Sequence, residues 1–134
     1  MSVVVPALNE AVLLPVLLDA LAAQTSPPDE VIVADGGSHD DTVSLARRAG
    51  ALVVRGGPPA VGRNAGAAAS SGDLLIFLDA DVRPGVRFLE RAVGEFLERD
   101  LDVATAAVVP LERAWDFRLV YAAVARGLPW VARV

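Results

Sequence analysis

Asp79 and Asp81 are the residues whose type and spacing most directly invite chemistry: two carboxylates one residue apart, closing the apolar run Leu74-Leu75-Ile76-Phe77-Leu78. A short, unalternating apolar run fits a strand buried on both faces, as in a parallel sheet covered by helices. Period-2 geometry would then place Asp79 and Asp81 on one side of that strand and Ala80 on the other. In open α/β sheets, ligands gather at the carboxyl ends of strands. Two like charges at a greasy strand end repel each other, and a divalent cation or a set of hydrogen-bond donors relieves the repulsion. The plain alternative for an isolated D-x-D is a solvated Asp pair in a turn, so the rest of the chain must decide.

The elements that would position this pair read in order from the N-terminus. Ser2-Val3-Val4-Val5 is a β-branched strand that stops at Pro6. A helix from about Leu13 to Gln24 carries Leu14, Leu17, Leu18 and Leu21 at i, i+3, i+4, i+7, with Pro15 tolerable in its first turn. Glu30–Asp35 is a second strand, followed by the tight turn Gly36-Gly37-Ser38. Asp40 or Asp41 caps a helix whose Val43, Leu45 and Ala46 face inward and which stops at Gly50. Ala51–Val54 is a third strand, Gly56-Gly57-Pro58-Pro59 a loop, and Val61–Ser71 an Ala-rich helix closed by Gly72. After the apolar fourth strand, Pro84 starts a helix with Phe88, Leu89, Val93, Phe96 and Leu97 inward, and Asp102–Val109 reads as a fifth strand. This alternation predicts an α/β fold with a mostly parallel sheet and right-handed crossovers.

In such a sheet the ends of the first, second and fourth strands share one rim. That rim collects Asn9, Glu10, Asp35, Asp79 and Asp81. Four carboxylates on one rim are costly without a partner. Arg63 and Asn64, at the start of the Gly- and Ala-rich helix, add an anion site. Carboxylates, a cation and an anion-binding helix together suit a ligand bearing both hydroxyls and phosphates, which a nucleotide-sugar does.

Each residue also has a purely structural reading. Asn9 could cap the following helix, and Asp35 could cap the Gly36-Gly37 turn. Arg63 could pair with Asp79 or Asp81 in the empty state. Gly36 and Gly37 are explained equally by close ligand approach or by turn geometry. Asp40 and Asp41 read as helix caps, and His39 as a solvent-facing loop residue.

The chain has 134 residues, enough for one domain with a real core. Its 17 acidic and 12 basic residues leave a formal charge of −5, which disfavours non-specific nucleic-acid binding. It has no Cys and a single His, which excludes disulfides, thiolate sites and multi-His metal centres. No basic stretch precedes the N-terminal apolar run, and no apolar run reaches the ~18 residues of a spanning helix. The expected location is the cytoplasm or the cytoplasmic face of a membrane.

Four blocks carry a resemblance: Val3-Val4-Val5-Pro6-Ala7-Leu8-Asn9-Glu10, Val31-Ile32-Val33-Ala34-Asp35-Gly36-Gly37-Ser38, Gly62-Arg63-Asn64-Ala65-Gly66 and Leu78-Asp79-Ala80-Asp81. In this order and spacing the chain resembles the nucleotide-binding half of the family 2 inverting glycosyltransferases. The resemblance implies a GT-A fold, a Rossmann-like three-layer α/β/α sandwich, over residues 1–112. It implies a nucleotide-diphosphate donor, a UDP-sugar first of all, and a sugar, lipid or polysaccharide acceptor of unknown identity. It implies that Pro6, Ala7, Asn9, Glu10 and Gly37 wall the base and ribose, and that Asp35 accepts from the base. It places Arg63 and Asn64 near the base or diphosphate, makes Asp79 a ribose or metal-shell contact, and makes Asp81 the direct ligand of Mg or Mn. The family reaction is a one-step, inverting displacement at the anomeric carbon.

The chain also departs from the family. The acidic pair that supplies the general base and the later Gln-x-x-Arg-Trp motif are both absent, and Glu112 and Asp116 are weak substitutes. The expectation is a truncated or divergent short member, with a non-catalytic nucleotide-diphosphate-binding fragment as the alternative. Residues 113–134 would begin the acceptor side as an amphipathic helix, with Phe117, Val120, Tyr121 and Val124 on one face. That face could support a homodimer or peripheral membrane contact. The D-x-D-G-T phosphatases, the sugar nucleotidyltransferases, the P-loop proteins and the G-x-G-x-x-G dinucleotide binders all fail on missing motifs.

Overall fold

A computed structural model describes residues 1–105. Four strands, β1 (Ser2–Ala7), β2 (Glu30–Asp35), β3 (Leu52–Arg55) and β4 (Leu75–Phe77), alternate with α1 (Leu14–Ala22), α2 (Thr42–Arg48), α3 (Pro59–Ala69) and α4 (Phe88–Glu98). The sheet order is β3-β2-β1-β4. Every pairing is parallel, with Val3 opposite Val31 and Ile76, and Ile32 opposite Leu52.

Alternation along the strands divides the sheet into two apolar faces. Val3, Val5 and Val33 pack with Leu14, Leu17, Leu18 and Leu21 of α1, Ala46 of α2 and Leu89. The leucine spacing of α1 is the one the sequence predicts, and Pro15 sits at the start of the helix, where no N–H is needed. The opposite face, with Val4, Pro6 and Ala34, receives α3 through glycines. A Cβ at Gly62 would lie 3.2 Å from Pro6 Cβ, and one at Gly66 would fall 2.2 Å from Val4 Cγ1. Helix and strand therefore approach closely only because those two positions, one turn apart, lack side chains.

Several expectations change. The first strand runs through Pro6 to Ala7, because its partner β2 stays in register to Asp35. Toward β4 the ladder ends with Leu78 N–H donating to the Val4 carbonyl. The next rung would require an N–H on Pro6, which proline lacks, so β4 leaves the sheet there. β4 is accordingly short, and among the described residues it lies at the sheet edge. Leu75 is 36% and Phe77 44% exposed, so the strand is not buried on both faces as expected.

α3 begins at Pro59, not Val61, and α4 at Phe88, not Pro84. Leu97 is exposed, whereas Leu89 is buried and Val93 and Phe96 are half-buried. Gln24 is buried at the end of α1. Its Nε2 donates to the Gly85 carbonyl, and its Oε1 accepts from Leu89 N–H at the start of α4.

Residues 1–90 form one unit and Arg91 opens a second. Residues 102–105 form no strand. The remainder of the expected fifth strand, the helix over 113–128, and Glu112 and Asp116 lie outside the described residues. Among the described residues, no helix is long and apolar enough to cross a membrane.

Candidate functional site

A cleft of about 640 Å³ opens at the carboxyl rim of the sheet. Pro6, Ala7, Leu8 and Glu10 line it from the end of β1, and Gly36 from the end of β2. Gly57, Pro58, Pro59 and Arg63 line it from the β3–α3 segment, and Asp79, Ala80 and Asp81 from the end of β4. The volume lies inside the ~300–1,000 Å³ range of small-molecule sites.

The two aspartates reach the cleft by a different route from the one strand alternation suggests. The strand has ended at Phe77, and Val82 N–H donates to the Asp79 carbonyl at 3.2 Å, closing a turn. Ala80, expected on the far side, lines the cleft between them and is 4% exposed. Arg63 Nη2 donates to Asp79 Oδ1 at 2.6 Å. Asp81 is exposed and makes no hydrogen bond or ion pair with a described residue. Glu10 is half-buried. That burial, and then the negative fields of Asp81 and Asp40, hold its carboxyl above the usual value.

The anion site at α3 is built differently from its sequence reading. With the helix starting at Pro59, Arg63 stands in the second turn, and Pro58 and Pro59 offer no N–H to the cleft. The positive charge of Arg63, rather than a row of helix amides, is what this wall presents to an anion. The lining by Gly57, Pro58 and Pro59 was missed as a functional signal, although a Gly- and Pro-rich loop after a strand on the same rim could have suggested it.

Asn9, Asp35, Gly37 and Asn64 do not line the cleft. Asn9 adopts a positive φ of 56°, and its Oδ1 accepts from His39 N–H at 2.9 Å. Asp35 accepts from Gly37 N–H at 3.0 Å and from Ser38 N–H at 3.2 Å, the turn-capping alternative noted above. Gly37 has φ 97° and open space around it, so turn geometry is its explanation. Asn64 is exposed on α3. Asp41 stands at the N-cap of α2 without a side-chain bond to it, and Asp40, one residue earlier, accepts from Thr42 N–H at 3.0 Å. The hydroxyl and amide of Thr42 hold the Asp40 carboxyl below its usual range.

The chain matches the model of Glycosyl transferase family 2 over residues 2–120. It belongs to that family. Glycosyltransferase AglE of Haloferax volcanii is 34% identical over 112 residues, 76% of this chain and 37% of the relative. Glucosyl-3-phosphoglycerate synthase of Mycobacterium tuberculosis is 36% identical over 110 residues, 72% of this chain and 33% of the relative. Among solved structures, Staphylococcus aureus TarS (residues 1–349) superposes with a TM-score of 0.67 and 25% identity, covering 81% of this chain and 37% of those 349 residues. The M. tuberculosis synthase, in complex with Mn2+, UDP and glucosyl-3-phosphoglycerate, gives a TM-score of 0.62 and 34% identity, covering 72% of this chain and 39% of the synthase. The chain thus spans 33–39% of the length of these relatives.

The parallel sheet and its helices are those of a GT-A glycosyltransferase. In this family 2 chain, the donor set fits a hard divalent cation, which prefers carboxylate, phosphate and water oxygens. Among the described residues, no group of three or more His, Asp or Glu could hold an ion alone. Asp81 can supply one carboxylate, leaving the other positions to ligand and water oxygens, which is how Mg commonly binds.

Proposed function

We propose that this chain is the donor-binding part of a family 2 glycosyltransferase. It binds a nucleoside diphosphate sugar, a UDP-sugar, and serves inverting transfer of the sugar to an acceptor hydroxyl on a sugar, lipid or polysaccharide. One observation carries the reading: Glu10, Arg63, Asp79 and Asp81 meet around a single cleft of about 640 Å³ at the carboxyl rim of the sheet. The complexes of the M. tuberculosis synthase with Mn2+ and UDP, and of TarS with UDP, support the choice of ligand.

Pro6, Ala7 and Leu8 give apolar surface to one wall, and Gly36 and Gly57 allow a flat base to approach the backbone closely. Asp35 retains acceptor capacity for a base N–H, since an ionised carboxylate has about four lone-pair sites. Arg63 donates charge-assisted hydrogen bonds to diphosphate oxygens. Asp81, with Asp79 beside it, would hold Mg or Mn; such an ion, when bound, neutralises charge on a departing nucleoside diphosphate. Released from Arg63, Asp79 can accept from a ribose hydroxyl.

Titration of the chain with UDP, GDP and dTDP, each with Mg or Mn, tests this by calorimetry. UDP binding that strengthens with cation is the expected result, and silence from all three nucleotides removes the proposal. A second reading, nucleotide binding without transfer, has its own support. The acids that line the cleft are Glu10, Asp79 and Asp81, of which Asp79 and Asp81 are given above to the donor and its cation. Release of sugar from a UDP-sugar, to water or to an acceptor, separates the two.

A further inference from the structure

The residues on either side of Asn9, Leu8 and Glu10, both line the cleft, while Asn9 does not. Its side chain points to the neighbouring loop instead. Asn9 N–H donates to Ser38 Oγ at 2.8 Å, and Asn9 Oδ1 accepts from His39 N–H at 2.9 Å. The next two residues continue the same ladder. Glu10 N–H donates to Thr42 Oγ1 at 2.8 Å, and Ala11 N–H donates to Asp40 Oδ2 at 3.1 Å. Beneath it, Asp35 fixes the turn that carries Ser38 by accepting from Gly37 and Ser38 N–H. The β1–α1 loop and the β2–α2 loop are therefore stitched together by bonds between side chains of one and main chain of the other. Asn9 alone bonds in both directions.

The backbone reinforces the point. Asn9 holds a positive φ of 56°, a conformation that Asn and Gly tolerate better than other residues. That turn aims the main chain so that Leu8 and Glu10 face the cleft while the Asn9 amide faces His39. The Asn9 amide oxygen is thus bonded to a backbone donor on the adjoining loop.

We infer that Asn9 is a positioning residue for donor binding. It sets the wall formed by Pro6–Glu10 against Gly36 and touches no part of the donor itself. The inference rests on the donor-binding reading above and adds to it a role for a residue outside the cleft. Pre-organised walls bind more tightly because less ordering remains to be done on binding. Removing the clamp should therefore weaken nucleotide affinity without removing any ligand contact.

The test uses the 134-residue chain and two variants. Asn9→Gly keeps the positive φ and deletes the acceptor, whereas Asn9→Asp keeps an acceptor oxygen for His39 N–H. With UDP and Mn as probe, Asn9→Gly should bind about tenfold more weakly, about 1.4 kcal/mol. Asn9→Asp should stay close to the parent. Hydrogen exchange at the amides of residues 8–10 and 39 should quicken in Asn9→Gly alone. Equal loss of affinity in both variants would mean that the amide nitrogen contacts the nucleotide, and would overturn the inference. Unchanged affinity and exchange in Asn9→Gly would overturn it too. If the parent chain binds no nucleotide, the donor-binding reading falls separately, and the exchange measurement still decides whether Asn9 holds the two loops.

Discussion

The Arg63 guanidinium and the Asp79 carboxylate lie 2.6 Å apart, both on the lining of the cleft, so the site pairs its own cation. Their side chains are 38% and 60% exposed, and such pairs contribute only ~0–1 kcal/mol to stability. A diphosphate entering the cleft must compete with Asp79 for Arg63. Arg63→Ala should weaken UDP binding by about 10- to 150-fold, the equivalent of hydrogen bonds to a charged group worth ~1.5–3 kcal/mol. Asp79→Asn should strengthen metal-free UDP binding, because Arg63 is released. Calorimetry without added cation, with thermal melts as a control for folding, measures both.

Asp81 should show the opposite pattern. It is exposed and has no described hydrogen-bonding or ion-pairing partner, so Asp81→Asn should leave the melting temperature nearly unchanged, within the ~0.5 kcal/mol typical of surface substitutions. The difference between UDP affinity with and without Mn should collapse in this variant. Chelation of the cation from the parent chain should reproduce the same loss. A variant that retains full cation dependence would remove Asp81 as the ion's ligand.

Packing of α3 on β1 gives a stability prediction. A Cβ at Gly66 would meet Val4 Cγ1 at 2.2 Å, and Val4 is fully buried with a stiff, β-branched side chain. Gly66→Ala should destabilise the chain by about 1–3 kcal/mol, the usual cost of overpacking. Gly62→Ala, 3.2 Å from Pro6 Cβ, should cost less in a urea melt but disturb the cleft wall at Pro6. Equal stability of Gly66→Ala and the parent would contradict this account of the helix–sheet contact.

Acid should loosen the edge of the sheet opposite the cleft. Glu30 accepts from the Ser2 hydroxyl at 2.6 Å and from Ser71 N–H at 2.6 Å, and these bonds lower its pKa from 4.5 to about 2. A carboxylate depressed in the folded state stabilises that state above its unfolded value, and the contribution disappears as pH falls toward the folded value. The part of the stability loss between about pH 4.5 and pH 2 that arises from Glu30 should be missing in Glu30→Gln. Thermal melts of the parent and the variant across that window measure it, and parallel curves would count against the assignment.

Local pattern was enough for the architecture and much of the site. Leucine spacing defined the buried stripe of α1, and the β-branched runs defined β1 and β2. The alternation of strands and helices placed Glu10, Arg63, Asp79 and Asp81 near one rim. Those features depend on periodicity and chain order, which a sequence contains in full. The resemblance assigns Asn9 and Asp35 to the nucleotide by motif, and a motif does not encode the directions of individual side chains.

Tertiary structure decided which way those side chains turn. Asn9 faces His39 because its positive φ and the adjoining loop require it, and Asp35 is drawn onto its own turn. Ala80 joins the cleft lining because β4 ends early, where Pro6 has no N–H to continue the ladder. The Asn9 and Ala80 outcomes depend on contacts between segments distant in sequence, and no local pattern encodes which backbone groups will face one another once the strands have paired, whereas the Asp35 bonds to Gly37 and Ser38 are local and belong to the turn that the sequence already suggests.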